Sequence, residues 1–292
     1  MGRPARFSSQ TVSTPTSSIR DGRAMHPSPP VALTIAGSDC SAGAGIQADL
    51  KTFEHFRVHG LTAITCVVSE TANIVRAVHP VPPEIVGDQV ELLLDAFPIS
   101  AIKTGMLFSA AHINAVLDAL SRYPAIPLVV DPVMIASTGD PLLEPDAIAA
   151  LRDEVLPRAT LATPNLHEAE ALAGEKISSV DDLERIALAL SARYGTAFLL
   201  KGGHLEGPEC TDLLADGGQV HRFTATRVAV PGSHGTGCTF SAAIAAQLAL
   251  GHPLAEAVSR AKVYLTETLA RSYSFHSPAG GSVHALNQGT TL

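Results

Sequence analysis

The sequence predicts an α/β fold of three layers, in which helices cover both faces of a mainly parallel central sheet. Short runs of β-branched residues alternate with helical patterns along most of the 292-residue chain. Such alternation requires crossover connections, which place successive strands parallel to one another. The turn Asp216-Gly217-Gly218 predicts a hairpin, which adds an antiparallel edge to the sheet.

The predicted elements follow one another between residues 31 and 270. Runs rich in valine, leucine, isoleucine and alanine predict strands at 31–36, 61–68, 99–103, 127–131, 159–163 and 196–200. Apolar residues at helical spacing predict helices at 45–56, 82–96, 110–121, 145–155, 179–193, 238–250 and 253–270. Gly251 and Pro253 separate the last two helices as a C-cap and a helix start.

The two ends of the chain differ from its centre. Residues 1–29 are rich in serine, threonine and proline and carry four arginines against one aspartate. This composition predicts a disordered tail. A transit peptide is the alternative, because such peptides are rich in arginine and serine and poor in acidic residues. We expect residues 30–272 to form one domain and residues 273–292 to form a flexible C-terminal tail.

Charge and composition exclude several classes of protein. The net charge of −8 at pH 7 argues against nucleic-acid binding, which needs a basic surface. No apolar run approaches the roughly 20 residues that a membrane-spanning helix needs. The four cysteines show neither metal-ligand nor disulfide-framework spacing, which is typical of a reducing compartment. We therefore expect a cytoplasmic protein that binds neither nucleic acid nor membranes.

A glycine turn stands where the first of the last two helices begins, in His234-Gly235-Thr236-Gly237-Cys238. The N–H groups of such a turn point toward one spot, and the helix dipole adds positive potential there. An anion hole of this kind stabilises a phosphoryl group in transfer. The alternative is a tight turn that only caps a packed helix, with Cys238 as a small buried apolar residue.

Polar residues and glycines also follow the predicted strands. The carboxyl ends of parallel strands share one edge of a sheet, and ligands bind there. The residues concerned lie at 37–45, Lys103-Thr104-Gly105-Met106, Asp131-Pro132-Val133-Met134, 163–168 and Lys201-Gly202-Gly203-His204. We therefore predict a binding site at this edge.

A dinucleotide-binding site is a competing interpretation. Gly43-Ala44-Gly45-Ile46-Gln47-Ala48 matches the dinucleotide fingerprint, and Glu70 could imitate its ribose-binding acid. However, the first glycine of that fingerprint should follow the strand almost directly, whereas residues 37–42 intervene here. This spacing disfavours a dehydrogenase, and NAD binding would test it.

Taken together, the motifs resemble those of the hydroxymethylpyrimidine/phosphomethylpyrimidine kinases of thiamine biosynthesis, which belong to the ribokinase-like superfamily. The resemblance covers about residues 31–270. It is carried by residues 32–39, 43–53, Asp131-Pro132-Val133-Met134, Thr163-Pro164-Asn165, 201–204 and 234–238. Sugar kinases of the superfamily usually end the glycine motif in aspartate, whereas the pyrimidine kinases and some pyridoxal kinases carry cysteine, as at Cys238.

The resemblance implies transfer of the ATP γ-phosphoryl group to the hydroxymethyl oxygen of 4-amino-5-hydroxymethyl-2-methylpyrimidine, and then a second transfer onto the monophosphate. Cys238 would stand where a base removes the alcohol proton, while Gly235, Gly237 and Cys238 would hold the phosphate through their N–H groups. A thiol is a weak base at its ordinary pKa, so the helix N-terminus must help it to ionise. If the Cys238 thiol does not ionise, its role is steric.

The resemblance also implies a Mg²⁺ site and phosphate-binding lysines. Asn165 and Glu168 resemble the magnesium element of the superfamily, with Asp131 close by, and their hard oxygen donors suit Mg²⁺. A helix N-cap is the alternative role for Asn165. Lys201 and Lys262 would neutralise phosphate charge. We expect Asn165, Thr236 and Lys262 to bind the nucleotide.

The substrate pocket implied by the resemblance is lined by Ala44, Val68, Met106 and Val133, with polar contacts from Asp49 and Glu70. The chain departs from the family at three places: Glu70-Thr71-Ala72 replaces Gln-Asn-Thr or Glu-Asn-Thr, Ala42 replaces a frequent glycine, and Gly232-Ser233 replaces Asn-Thr. The alternatives are therefore a pyridoxal, pyridoxine or pyridoxamine kinase and a non-catalytic pyrimidine-binding relative.

Family members commonly form homodimers, so the resemblance also implies a homodimer.

Overall fold

The computed structural model describes residues 28–134, 143–278 and 280–289. Its helices are α1 (Gly45–His55), α2 (Pro83–Ala96), α3 (Ala110–Leu120), α4 (Pro145–Ala150), α5 (Leu166–Ala173), α6 (Val180–Tyr194), α7 (Thr236–Ala249) and α8 (Leu254–Ala270). The strands are β1 (Val31–Asp39), β2 (His59–Thr71), β3 (Ile74–Pro80), β4 (Ile99–Thr104), β5 (Leu128–Val130), β6 (Leu161–Ala162), β7 (Ala197–Leu200), β8 (Glu209–Asp216), β9 (Gln219–Thr226), β10 (Tyr273–His276) and β11 (Ser282–Ala285).

The main sheet has nine strands in the order β3-β2-β1-β4-β5-β6-β7-β8-β9. Strands β2, β1, β4, β5, β6 and β7 run parallel, whereas β3, β8 and β9 pair antiparallel. The predicted hairpin at residues 216–218 is confirmed, since it joins β8 to β9. Strand β3 was not predicted; it is a short edge strand (Ile74–Pro80) with no fully buried residue, and it follows β2 after a two-residue turn.

Helices cover both faces of this sheet, as predicted. Alternate residues of β1 show why: Leu33 packs in a core with α2, α3 and α6, and its neighbour Ala32 packs in a core with α1, α7 and α8. Since successive strand residues point to opposite faces, the two cores are separate layers. The three-layer α/β prediction is confirmed. None of the helices in the described ranges has the length and apolar character needed to cross a bilayer.

Two predicted segments differ in detail. The helix expected over 145–155 is α-helical only to Ala150, and it continues as a wider π turn (Leu151–Val155) and a 3₁₀ turn (Leu156–Arg158). Pro157 lacks the N–H group that a continuing α-helix needs. In addition, α5 forms at 166–173, where the sequence suggested only an N-cap at Asn165.

The C-terminal segment is not the flexible tail that we expected. Strands β10 and β11 pair as a hairpin, and the chain beyond them buries Leu286 and Gln288, each to 2% exposure. The aromatic residues of β10, Tyr273 and Phe275, are exposed and do not pack on the core. The expected N-terminal tail falls almost wholly on residues 1–27, which lie outside the described residues.

Candidate active site

A cavity of about 690 Å³ opens at the carboxyl ends of the parallel strands, at the edge that the sequence predicts. The predicted site residues found in its lining are Ala44, Val68, Glu70, Met106, Asp131, Val133, Asn165, Glu168, Lys201, Gly235, Thr236, Gly237, Cys238 and Lys262. Asp49 is absent from this lining. The structure thus brings together residues from eight separate stretches of the chain.

The glycine turn forms the N-terminus of α7. Gly235 is the N-cap and has a left-handed backbone (φ 80°), and a Cβ there would lie 1.9 Å from the carbonyl oxygen of Gly43. Only glycine fits this position. The backbone N–H and the hydroxyl of Thr236 both donate to the carbonyl of Ser233, which closes the turn. The N–H groups of Gly237 and Cys238 lie in the first helical turn, where helices leave N–H groups without intrahelical acceptors.

A buried ion pair lies beside this turn. Lys201 Nζ donates to Asp131 Oδ1 at 3.0 Å, and a Cβ on Gly237 would lie 3.3 Å from that Nζ atom. Thr163 and Ser241 also donate to the Asp131 carboxylate, which holds it in place. Burial opposes the charge on Lys201, but Asp131 and Glu168 raise its pKa overall. The lysine is therefore a fixed cation next to the first turn of α7.

Asn165 and Glu168 hold each other at the start of α5. The Asn165 Oδ1 atom accepts from the Glu168 N–H at 3.0 Å, and Glu168 Oε2 accepts from the Asn165 N–H at 2.8 Å. This is a capping box, so the N-cap role of Asn165 is confirmed. Burial raises the pKa of Glu168 to about 7, although Lys201 works in the opposite direction.

Cys238 differs from the expectation of an ionised base. Burial raises the pKa of its thiol to about 11, and the opposing effects of Lys103 and a hydrogen bond from the Gly45 N–H are smaller. At pH 7 the group is therefore a neutral thiol. The raised pKa gives no support to the expectation that the helix terminus ionises Cys238, and it favours the steric role.

Asp49 lies behind the cavity wall and not in it. Lys103 Nζ donates to Asp49 Oδ2 at 2.8 Å, Thr34 donates to the same oxygen at 2.6 Å, and all three residues are fully buried. Although burial opposes the charge on Lys103, Asp49 raises the pKa of this lysine overall. The predicted polar contact from Asp49 to the pyrimidine is thus wrong. The phase of α1 turns Asp49 into the protein, and Lys103 faces the cavity in its place.

Glu70 and His234 line the cavity, and the buried Asp39 lies beside them, so that the carboxylate and imidazole atoms of the three lie within 4.8 Å of one another. Burial and the charge of Asp39 raise the pKa of Glu70 to about 7. Burial opposes the charge on Asp39, yet hydrogen bonds from His234, Ser41 and Ala44 bring its pKa down to about 2. Because these donors already fill the Asp39 carboxylate, we interpret the group as a hydrogen-bonded network.

Lys262 is less available for binding phosphate than we expected, because it already has an ion-pair partner. Its Nζ atom donates to Asp212 Oδ2 at 2.7 Å and approaches Cys210 Sγ at 3.4 Å. The other oxygen of Asp212 accepts from the Gly202 N–H at 2.9 Å. The charge of Lys262 is therefore already balanced by Asp212, although both residues line the cavity.

The sequence analysis places Lys103 and His234 in motifs of the predicted site without giving either a role, and it does not select Asp212, yet all three line the cavity. Lys103 stands near the carboxyl end of the buried strand β4, a position that resembles that of Lys201 directly after β7. His234 directly precedes the glycine turn, so the sequence indicates that it lies near the site but not that it forms a hydrogen bond with Asp39. Asp212 lies within the hairpin strand β8 and carries no local sign of a site.

Comparisons with known proteins identify the family of this chain. A family model described as phosphomethylpyrimidine kinase matches residues 39–283. The hydroxymethylpyrimidine/phosphomethylpyrimidine kinase of Rhizobium meliloti is 46% identical over 260 residues, which are 88% of this chain and 97% of that protein. The structure of phosphomethylpyrimidine kinase from Clostridium difficile is similar with a TM-score of 0.72 at 39% identity, covering 81% of this chain and 98% of that one.

A pyridoxal kinase is also similar in structure. The Staphylococcus aureus enzyme in complex with AMP-PCP and pyridoxal gives a TM-score of 0.80 at 34% identity, covering 90% of this chain and 94% of that one. The fold therefore does not separate the two kinds of kinase. The family model and the higher sequence identity to the pyrimidine kinase do separate them, and this chain belongs to the phosphomethylpyrimidine kinase family.

Proposed function

We propose that this chain is an ATP-dependent kinase that phosphorylates 4-amino-5-hydroxymethyl-2-methylpyrimidine and then its monophosphate, giving the diphosphate used in thiamine biosynthesis. One observation carries the proposal: the glycine turn with Lys201 opens into the same cavity as an apolar patch of Val68, Met106 and Val133. A phosphate site and a site for a small apolar ring are thus neighbours.

In the first reaction the hydroxymethyl oxygen attacks the γ-phosphorus, and the bond from that phosphorus to the β,γ-bridging oxygen of ATP breaks. The products are the phosphate ester, ADP and one proton. Gly237, Cys238 and Lys201 would donate hydrogen bonds to the transferring group, whose charge lies on its outer oxygens. In a loose transition state the new O–P bond is weak, so the alcohol loses its proton late and a strong base adds little. A neutral Cys238 is compatible with this chemistry.

The residues present fit a Mg²⁺ ion. Asp131, Asn165 and Glu168 line one part of the cavity. Their side-chain oxygens are the kind of ligand that Mg²⁺ prefers. Glu168 is buried with insufficient positive charge around it, as its raised pKa indicates. We propose that Asp131 and Glu168 hold Mg²⁺, directly or through water, with Asn165 on the nucleotide side. When bound, the ion would neutralise part of the charge on the phosphates.

Pyridoxal is the second candidate substrate, because the fold is shared with a pyridoxal kinase and because the chain has Glu70-Thr71-Ala72 where the family commonly has Gln-Asn-Thr or Glu-Asn-Thr. Mass spectrometry separates the candidates. The purified full chain is incubated with ATP, Mg²⁺ and either the pyrimidine alcohol or pyridoxal. We expect pyrimidine mono- and diphosphate, and slower formation of pyridoxal phosphate. A folded protein that binds the pyrimidine and forms no ADP with either alcohol would instead be a non-catalytic relative.

The expected compartment and assembly belong to the same proposal. The cysteines of the described residues are all unpaired, which supports a reducing cytoplasm. The open edge of the sheet exposes Ile74 on β3 and Val67 on β2, at 48% and 46%, which supports pairing with a second copy. Light scattering after gel filtration tests the homodimer, since a monomer mass at micromolar concentration would contradict it.

A further inference from the structure

The loop that follows β1 is built around one carboxylate. We call residues 39–44 the substrate loop, because Ala44 lies in the cavity lining. Asp39 accepts from the N–H groups of Ser41 at 2.7 Å, Gly43 at 3.1 Å and Ala44 at 2.8 Å. These N–H groups are therefore satisfied within the loop, whereas the Gly43 carbonyl needs a partner elsewhere.

That partner comes from the far end of the chain. Gln288 donates from Nε2 to the Gly43 carbonyl at 3.3 Å and to Thr239 Oγ1 at 3.1 Å. Thr239 is fully buried in the first turns of α7, and its N–H donates to the Gly235 carbonyl at 2.9 Å. One buried amide group thus connects the substrate loop with the helix that carries the glycine turn.

The segment that carries Gln288 is itself anchored. We call residues 282–289 the C-terminal strap. Tyr264 of α8 donates to the Gln288 carbonyl at 2.9 Å, and Asn73 between β2 and β3 donates to the Ser282 carbonyl at 3.1 Å. Leu286 adds buried apolar area. The strap is fixed on two sides, so its amide has a defined position.

The substrate loop and the glycine turn also touch each other, since a Cβ on Gly235 would meet the Gly43 carbonyl. The separation of these two segments sets the distance between an alcohol near Ala44 and a phosphate near Gly237. An error of about 1 Å in such a distance can cost on the order of 100-fold in rate. The group that fixes the separation therefore matters for catalysis without touching the reacting atoms.

From these contacts we infer that Gln288 is a positioning residue, which holds the substrate loop at its working distance from the glycine turn. The residue lies beyond residue 283, where the match to the family model ends. The inference rests on the proposed kinase function for its catalytic consequence. Its structural part, the fixing of residues 39–44, does not depend on that function.

Three variants of the full chain test the inference. Gln288→Ala removes the side-chain amide, and Gln288→Met keeps an unbranched side chain of similar length that has no hydrogen-bond donor for the Gly43 carbonyl. The control is Thr196→Val, which removes a buried hydrogen bond to the Leu156 carbonyl, 2.7 Å long and outside the cavity lining. Hydrogen exchange read by mass spectrometry follows residues 39–44, and steady-state kinetics gives kcat and KM for the pyrimidine alcohol.

Both Gln288 variants should exchange faster at residues 39–44 than the wild type and lose about tenfold in kcat/KM, while Thr196→Val changes neither. Wild-type behaviour of Gln288→Met in both measurements would overturn the inference, because the side chain would then only fill space. Faster exchange spread evenly over the whole chain, and not concentrated at residues 39–44, would overturn it too. If the wild type forms no phosphorylated product, the proposed function fails, and the exchange data still decide whether Gln288 fixes the loop. If Gln288→Ala does not fold, Gln288→Met gives the decision.

Discussion

Lys201 and Asp131 form a buried ion pair of 3.0 Å, and both side chains face the position that a Cβ on Gly237 would occupy. The two residues come from the ends of different parallel strands, β7 and β5, and Gly237 comes from α7. Their meeting explains why the second glycine of the turn is glycine. The Lys201 and Asp131 side chains lie in front of Gly237. We propose that the transferring phosphate binds in the same space.

A side chain at Gly237 should therefore damage the enzyme more than the loss of the thiol. In Gly237→Val, the new Cβ would lie 3.3 Å from Lys201 Nζ and 3.4 Å from Asp131 Oδ2, and its methyl groups would extend further. We expect kcat/KM to fall by at least about 100-fold, the scale of a lost transition-state donor. Because Cys238 is a neutral thiol, Cys238→Ser should lose less than about tenfold. Equal losses in a coupled assay of ADP release would contradict the anion-hole geometry.

Glu70 should make the enzyme sensitive to pH near neutrality. Its folded pKa is raised to about 7 from an ordinary 4.5, so the folded state holds this proton more tightly than the unfolded state does. The stability that this proton contributes is present at low pH and is lost as the pH rises from about 4.5 through 7. Glu70→Gln keeps a neutral group at every pH. We expect its melting temperature to equal that of the wild type at pH 5 and to exceed it at pH 8.

The same variant tests substrate binding. A protonated Glu70 can donate a hydrogen bond, whereas a carboxylate only accepts. We expect KM for the pyrimidine alcohol to change between pH 6 and pH 8 in the wild type and to stay constant in Glu70→Gln. Parallel pH profiles for the two proteins would show that another group titrates.

Ala42 stands where the family often has glycine, and its backbone is left-handed with φ 60°. An L-residue other than glycine is strained in this region by about 1 kcal/mol. Ala42→Gly should raise the free energy of unfolding by ~0.5–1 kcal/mol, as measured by urea denaturation. The control, Ala189→Gly at an exposed position inside α6, should lower it by about 1 kcal/mol. A loss of stability in both variants would mean that the loop carries no strain at Ala42.

Glu168 should control the requirement for Mg²⁺. Glu168→Gln removes the charge but keeps an oxygen that can accept from the Asn165 N–H, so the cap of α5 survives. We expect lower activity that higher Mg²⁺ concentrations partly restore. The matched control is Glu170→Gln on the same helix, whose carboxylate instead pairs with Lys176. An unchanged Mg²⁺ titration in Glu168→Gln would remove this residue from the proposed metal site.

The sequence revealed those parts of the site that depend on local pattern. Gly235, Gly237 and Lys201 stand next to recognisable strand ends or a helix start, and the structure places them together. Asp49 was misplaced because the direction of a side chain depends on the phase of α1 against the sheet. The pairing of Lys262 with Asp212 joins positions far apart in the chain, which only the fold reveals. The neutral state of Cys238 follows from burial, a property that sequence spacing does not express.

The C-terminal segment was misread for a related reason. Residues 273–289 contain serine, glycine and asparagine, which is typical of a tail, and the alternation of Tyr273 and Phe275 in β10 spans only four residues. The contacts that order the segment come from Tyr264, Asn73 and the substrate loop. These partners lie elsewhere in the sequence, so no local pattern could indicate them.

The central claim is that the γ-phosphate of ATP sits at the N-terminus of α7 beside Lys201, with the alcohol oxygen facing it. A crystal structure of the wild-type chain with AMP-PCP and the pyrimidine alcohol tests this directly. We predict that the terminal phosphonate lies within hydrogen-bond distance of the Gly237 N–H and Lys201 Nζ, and that the hydroxymethyl group points at its phosphorus. A terminal phosphonate bound away from residues 235–238 would contradict the account.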